Sequence, residues 1–172
     1  MTLSSATCDY IDRLAAGVRD RITLSSDTVG LKYADAKKCV ESLNGRVEHR
    51  SGQDSEAIKT GENSFTIYVK EENIEELLHE LGHVLLEWHE VKIEAEDEDK
   101  PKRVGGNTGV NSLIEEAVNY FMRMVLMPTM LFMKQVINYS YNNLCDFSAL
   151  ANAFGVSRYT VIRRGKELGL WP

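Results

Sequence analysis

The segment HELGH, from His79 to His83, constrains the fold and chemistry of this 172-residue chain more than any other stretch. Residues four apart on a helix lie on the same face, so the two imidazoles can bind one metal ion while Glu80 projects beside it. The surrounding residues 74–86 place apolar side chains at the i, i+3, i+4, i+7 spacing of a half-buried helix. The sequence therefore predicts a helix that holds a zinc ion (Zn2+) through His79 and His83.

The chemistry expected of such a site is hydrolysis. Glu80 would accept a proton from a water that the zinc has made acidic, and that water would attack a carbonyl carbon. This arrangement favours a zinc hydrolase, with peptide bonds as the expected substrate. The alternative interpretation is that His79 and His83 are ordinary helix residues hydrogen-bonded to their neighbours.

A third ligand is needed, because a catalytic zinc site uses three protein ligands and leaves one position open. His89 lies about 600° round the helix from the last histidine of the motif, so it does not share the metal-facing side. Residues 112–127 form a second long apolar-periodic segment, in which Glu115 can point inward while Glu116 is turned about 100° away. We predict Glu115 as the third ligand. The alternative is that both carboxylates are solvated in a first helical turn, where the helix dipole favours them.

The two segments together resemble the ImmA/IrrE family of zinc metallopeptidases. That family pairs HELGH with a downstream pattern of the form E-x-x-A-N-x-F-A-x-x-L-L-M-P, and residues 115–128 here read EEAVNYFMRMVLMP. The resemblance implies that Glu115 is the family's third-ligand glutamate. It also implies that Asn119 is the family's asparagine, placed beside the metal ligands on the same helical face.

The chain departs from the family pattern at a few positions. Val118 and Met122 stand where the family usually has alanine, and residues 73–78 read NIEELL where the family often reads R-F-T-x-A before the motif. The chain is therefore similar to a divergent member. The resemblance implies limited cleavage of a protein substrate, a helix-turn-helix repressor of a mobile element, prophage or stress regulon, so that the enzyme acts as an anti-repressor.

The rest of the chain predicts an α+β fold, mostly helical, with a small antiparallel sheet next to the zinc helix. Helical periodicity covers residues 10–22 and 34–43. The last predicted strand is expected at the edge of the sheet, where it could receive an extended substrate. The predicted strands are residues 46–49, 57–59 and 65–69.

The C-terminal residues 148–170 have a helix-turn-helix outline that resembles the closing helical pair of the same family. A short helix over 149–154 precedes a turn at Gly155, and Ser157 is expected to cap a second helix over 159–168. We accordingly predict two domains. A zincin-like metallopeptidase domain covers residues 1–128, and a C-terminal helical subdomain covers residues 129–172.

The second of these helices is basic, which raises a competing function. The chain could be a DNA-binding regulator or a toxin–antitoxin component whose zinc is structural or vestigial. The formal net charge of −6 and the pI near 5.3 oppose phosphate contact outside a local patch. The basic residues concerned are Arg158, Arg163, Arg164 and Lys166.

Composition indicates a cytoplasmic enzyme with no membrane partner. Residues 1–20 contain no sustained apolar run typical of a signal peptide, and no stretch approaches the roughly 20 apolar residues of a membrane span. Three scattered cysteines lack paired spacing and are expected to be reduced thiols.

Two features of the sequence leave their roles open. Residues 87–111 are first acidic and then glycine-rich, which predicts a surface loop that is either a lid over the site or a plain solvated linker. A second donor to the oxyanion is also expected, and spacing does not choose among the chemically suitable Tyr120, Tyr139 and Tyr141.

Overall fold

The computed structural model describes residues 2–23, 25–89, 91–96, 108–142 and 144–172. The second half of the predicted surface loop, residues 97–107, lies outside the described residues. The chain folds as mixed α+β, which confirms the predicted class. In order, the elements are α1 (Ser5–Ile22), α2 (Tyr33–Ser42), β1 (Gly45–His49), β2 (Glu56–Gly61), β3 (Ser64–Val69), α3 (Ile74–Gly82), a π-helical turn (His83–Glu87), α4 (Thr108–Leu126), α5 (Thr129–Asn138), β4 (Ser140–Tyr141), β5 (Leu144–Cys145), α6 (Phe147–Phe154) and α7 (Arg158–Glu167).

The sheet beside α3 has the order β1-β3-β2, and it is mixed rather than antiparallel. Strand β3 pairs in parallel with β1, through Val47 opposite Ile67, and antiparallel with β2, through Ala57 opposite Ile67. The sequence-based expectation of a purely antiparallel sheet is therefore wrong for one pairing. The tight β2–β3 hairpin places β2 on one side of β3, which leaves the other side of β3 for β1.

The prediction that residues 65–69 form an edge strand is also wrong, because β3 is the central strand. Its side chains Phe65, Thr66, Ile67 and Val69 are buried, whereas β2 is exposed along most of its length. A strand flanked on both sides and covered by helices is apolar nearly throughout, which is the pattern of this segment. The edge strand nearer to α3 is β2.

Helix α3 lies between the sheet and α4, and a close contact at Gly82 sets their separation. A Cβ atom on Gly82 would lie 3.0 Å from Cγ1 of Val118 and 3.1 Å from Cδ1 of Phe121, both on α4. Both α4 side chains are fully buried. The missing side chain thus lets the backbone of α3 come against the apolar face of α4.

The C-terminal pair has the predicted outline, with small shifts at its boundaries. Gly155 ends α6 in the left-handed conformation (φ +68°), and Ser157 caps α7 by accepting a hydrogen bond from the Thr160 N–H. Arg164 of α7 is 1% exposed and donates hydrogen bonds to the Met127 carbonyl at 3.2 Å and to the Thr129 hydroxyl at 2.8 Å. The contact with Met127 crosses the predicted boundary at residue 128, and the two-domain division stays a prediction. Among the described helices, none has both the length and the apolar character needed to cross a membrane.

Gly165 and Gly17 provide a matched test of helix packing. A Cβ atom on Gly165 would overlap the indole of Trp171, whereas a Cβ on the exposed Gly17 would meet no atom within 4 Å. We expect Gly165→Ala to lower the free energy of unfolding by about 1–3 kcal/mol through overpacking. Gly17→Ala should instead raise it by up to about 1 kcal/mol, through helix propensity. Chemical denaturation of both variants measures the difference, and equal stability of the two would contradict the Trp171 packing.

Candidate metal centre

The metal-facing side of α3 follows from how the helix is anchored. Asn73 begins the helix by accepting hydrogen bonds from the backbone N–H groups of Glu75 and Glu76. The opposite side of the helix is buried against the sheet and α4, which leaves His79 and His83 half-exposed at the border of the core. The fully buried leucines of α3 are Leu77, Leu78 and Leu81.

Three predicted ligands come together at this border. Nε2 of His79 lies 3.2 Å from Nε2 of His83, and the carboxylate oxygens of Glu115 lie 3.6 Å from the first nitrogen and 3.3 Å from the second. Ligand atoms on tetrahedral zinc at about 2.0–2.1 Å from the ion are separated by about 3.3–3.4 Å. The three side chains therefore have the mutual spacing of ligands around one small metal ion. In the part of the chain that the structure describes, they are the group of histidines and acidic residues placed to hold one.

The structure distinguishes Glu115 from Glu116. Glu115 projects toward the histidines with half of its side chain exposed, whereas Glu116 points to the other side of α4. There Glu116 forms ion pairs with Arg123 at 3.0 Å and with Arg163 at 3.4 Å. The two carboxylates therefore lie on different sides of α4, with Glu115 on the side of the two histidines.

Each of the two histidines has a hydrogen-bonding partner outside the set of three candidate ligands. Nδ1 of His83 lies 3.0 Å from Oε2 of Glu87, and His79 has a hydrogen bond with the Asn119 side chain. The Asn119 amide also donates to the Glu115 carbonyl at 2.8 Å, which holds it in place. Partners of this kind fix the ring orientation, so that Nε2 of each histidine is directed at the metal.

Glu87 is a site residue that the sequence analysis did not identify. The predicted helix over residues 74–86 was expected to be regular, but α3 ends at Gly82 and a π-helical turn follows. The wider turn makes Leu86 fully buried in place of Leu85, which is half-buried. Glu87 lies four residues after His83, and side chains at that spacing can meet on a helix. This spacing was the one feature of the sequence that could have indicated the contact.

The surroundings of His79 favour the neutral ring that a metal needs. Burial lowers the pKa of His79, the neighbouring His83 lowers it further, and Glu115 and the hydrogen bond with Asn119 act in the opposite direction. An imidazole must be unprotonated at the nitrogen that binds a metal. Burial is the largest cause of the lowered pKa of His79, and it favours the neutral imidazole that can bind a metal.

Glu80 lies beside the three ligands, at the free edge of the sheet. Burial raises the pKa of the Glu80 carboxyl, while His83 and a hydrogen bond from the backbone N–H of Ala57 act to lower it. Ala57 belongs to the edge strand β2. A carboxylate with a raised pKa is closer to the range in which one group can both accept and donate protons.

The tyrosines considered as oxyanion donors lie elsewhere. The Tyr120 hydroxyl donates to Asp12 on α1 at 2.9 Å, and Tyr139 and Tyr141 belong to the end of α5 and the short β4–β5 hairpin. The cavity that includes His79 and Glu80 is instead bordered by Tyr159 of α7. The fold brings Tyr159 to this cavity, a proximity that spacing along the chain does not reveal.

Comparison with known proteins agrees with the geometry. The profile of the family described as Peptidase_M78, IrrE N-terminal-like domain, matches residues 69–166. This match covers more than half of the chain and includes α3, the three candidate ligands and most of α7. No curated protein matches the chain. The chain therefore belongs to the M78 family of peptidases, which confirms the resemblance found in the sequence.

Glu87 provides a test of ligand orientation. We expect Glu87→Ala to weaken zinc binding by about 10–100-fold, because His83 loses the carboxylate that orients its ring. Competition with a chromophoric chelator measures the affinity, and Glu62→Ala in the exposed β2–β3 turn is the matched control. Unchanged affinity in Glu87→Ala would show that the His83–Glu87 contact does not support the metal.

Proposed function

We propose that the protein is a zinc-dependent endopeptidase that cuts a partner protein in a limited, specific way. The observation that carries this proposal is the arrangement of His79, His83 and Glu115, whose ligand atoms lie 3.2–3.6 Å apart around one position. Two imidazoles and one carboxylate are a ligand set of catalytic zinc, with a fourth position left for water. Membership of the M78 peptidase family supports the same reaction class.

The residues around this position have the chemistry that peptide hydrolysis requires. Zinc held there would make a water acidic and polarise the substrate carbonyl. Glu80 takes the proton of the attacking water and delivers it to the leaving amine, and its raised pKa suits both transfers. Asn119 and Glu87 keep the imidazoles of His79 and His83 in the binding orientation.

The substrate is expected to bind in an extended form along β2. The sequence predicts this role for residues 65–69, but that strand is central, and the free edge next to Glu80 belongs to β2. An exposed edge can accept another strand through backbone hydrogen bonds. We propose a helix-turn-helix repressor as the protein substrate, cleaved in the cytoplasm. This rests on the family resemblance of the HELGH and EEAVNYF segments.

The competing function, DNA binding through the C-terminal helices, depends on four cations on the second helix, and not all of them are available to DNA. Two of the four cations on the second helix are used within the protein: Arg164 is buried, and Arg163 pairs with Glu116 at 3.4 Å. Arg158 and Lys166 remain exposed. A helix with one basic side chain buried and another paired with a carboxylate offers few phosphate contacts, which opposes autonomous DNA binding in an acidic chain.

The ligand assignment is tested by metal content. Purified wild-type protein should contain close to one zinc per chain by elemental mass spectrometry, and Glu115→Ala should lose most of it because two histidines alone are a weak zinc site. Glu71→Ala, an exposed carboxylate before α3, should retain the metal. Equal zinc content in Glu115→Ala and the wild type would contradict the assignment of Glu115.

The role of Glu80 is tested separately. Glu80→Gln should keep zinc, because Glu80 is not among the ligands, but cleave at least about 100-fold more slowly because the general base is lost. The measurement is intact-protein mass spectrometry of a helix-turn-helix repressor encoded beside this gene, incubated with the zinc-loaded protein. Full cleavage by Glu80→Gln would overturn its assignment as the base.

A further inference from the structure

A cavity of about 280 Å³ opens directly beside the metal centre. It lies between the first turns of α3, the middle of α4 and the beginning of α7, and its lining includes His79 and Glu80. We call it the α3–α7 cavity. Its volume is below the range typical of drug-sized ligands and suits one long amino-acid side chain.

Helix α7 is fixed as one wall of this cavity by contacts to both metal-binding helices. The Glu75 carboxylate on α3 accepts a hydrogen bond from the Ser157 N–H at 3.0 Å. On the other side, Arg123 of α4 pairs with Glu116 at 3.0 Å and also with Glu167 of α7. These contacts hold α7 in place as one wall of the cavity.

The lining of the α3–α7 cavity carries negative charge. Glu75 and Glu76 are half-buried, and each accepts a hydrogen bond from a neutral group, the Ser157 N–H and the Ser55 hydroxyl respectively. Among the described residues, neither carboxylate forms an ion pair. The one cation in the lining, Arg123, is already paired with two carboxylates, so it does not offset their charge.

The remaining walls suit the stem of a basic side chain. Met122 is 6% exposed and gives an apolar surface, whereas Tyr159 keeps 70% of its surface exposed at the rim. A large exposed aromatic ring beside unpaired carboxylates can stack on an aliphatic stem or on a guanidinium group. Apolar contact along the stem and the negative charge of the lining together select a long cationic side chain.

We propose that the α3–α7 cavity binds a lysine or arginine side chain of the protein substrate adjacent to the scissile bond. Glu75 and Glu76 receive the charge, and Tyr159 of the C-terminal pair contacts the stem. This inference rests on the proposed peptidase function and specifies its substrate preference. The C-terminal helical pair then serves substrate recognition as part of the cleft.

The test measures binding by the zinc-loaded full-length chain, independently of turnover. The probes are short peptide hydroxamates carrying arginine, norleucine or glutamate next to the zinc-binding group, in two scaffolds that place this side chain on either side of it. Isothermal titration calorimetry gives each Kd. We expect arginine to bind about tenfold more tightly than norleucine in one scaffold, and glutamate more weakly than both, because a charge-assisted contact adds to the apolar contact that norleucine also makes.

Charge-removing variants locate the preference. The double variant Glu75→Gln and Glu76→Gln keeps the hydrogen-bond acceptors but removes both charges. The ratio of the norleucine Kd to the arginine Kd should therefore fall toward one, while the norleucine Kd itself is unchanged. Tyr159→Ala should weaken arginine and norleucine alike, Tyr159→Phe should not, and Tyr141→Ala in the distant hairpin is the matched control.

The outcomes separate the two proposals. Equal binding of arginine and norleucine in both scaffolds, or an arginine preference that survives the double variant, overturns the assignment of the cavity and leaves the peptidase function standing. Failure of every hydroxamate to bind the zinc-loaded chain contradicts an open catalytic site, and overturns the peptidase function together with this inference.

Discussion

The packing of α3 against α4 at Gly82 is the contact on which the metal centre depends. Gly82 precedes His83 directly, and the residue it meets, Val118, lies one turn after Glu115 on α4. Local helical geometry alone places His79 near His83, but the third ligand comes from a distant part of the chain. With no side chain at position 82, the two backbones approach closely enough for the Glu115 oxygens to lie 3.3–3.6 Å from the ring nitrogens. The core contact thus sets both the distance and the register of the ligands.

Much of this site could be predicted because its parts are local and periodic. The HELGH spacing, the buried stripe of α4 and the choice of Glu115 over Glu116 all follow from helical geometry. Glu87 was missed, although it lies four residues after His83, a spacing at which side chains can meet on a helix. The π-helical turn over His83–Glu87 is a local widening that regular periodicity does not predict. The order of the strands could not be predicted either. Strand pairing is non-local, so the apolar residues of β3 indicated that the strand is buried without indicating which strands lie beside it.

The basic second helix shows another limit of sequence reasoning. Four cations on α7 suggested a nucleic-acid surface, but charge along a sequence does not reveal whether a side chain faces solvent or a carboxylate inside the protein. The structure places Arg164 in the core, where it donates to the Met127 carbonyl, and directs Arg163 to Glu116. Pairs of this kind add little net stability when compared with apolar packing, but they penalise any arrangement that leaves one charge unpaired. They therefore specify where α7 sits.

This placement couples the C-terminal pair to the metal centre. Arg123 is 4% exposed and lies on the same helix as Glu115, and it pairs with Glu167 of α7 as well as with Glu116. Separating α7 from α4 would break the Arg123–Glu167 pair and the Arg163–Glu116 pair, so α4 would lose the charged contacts that fix it against α7. Glu115, on the same helix, would lose that support. The geometry of the metal ligands and the position of the cavity wall are consequently two results of one set of contacts.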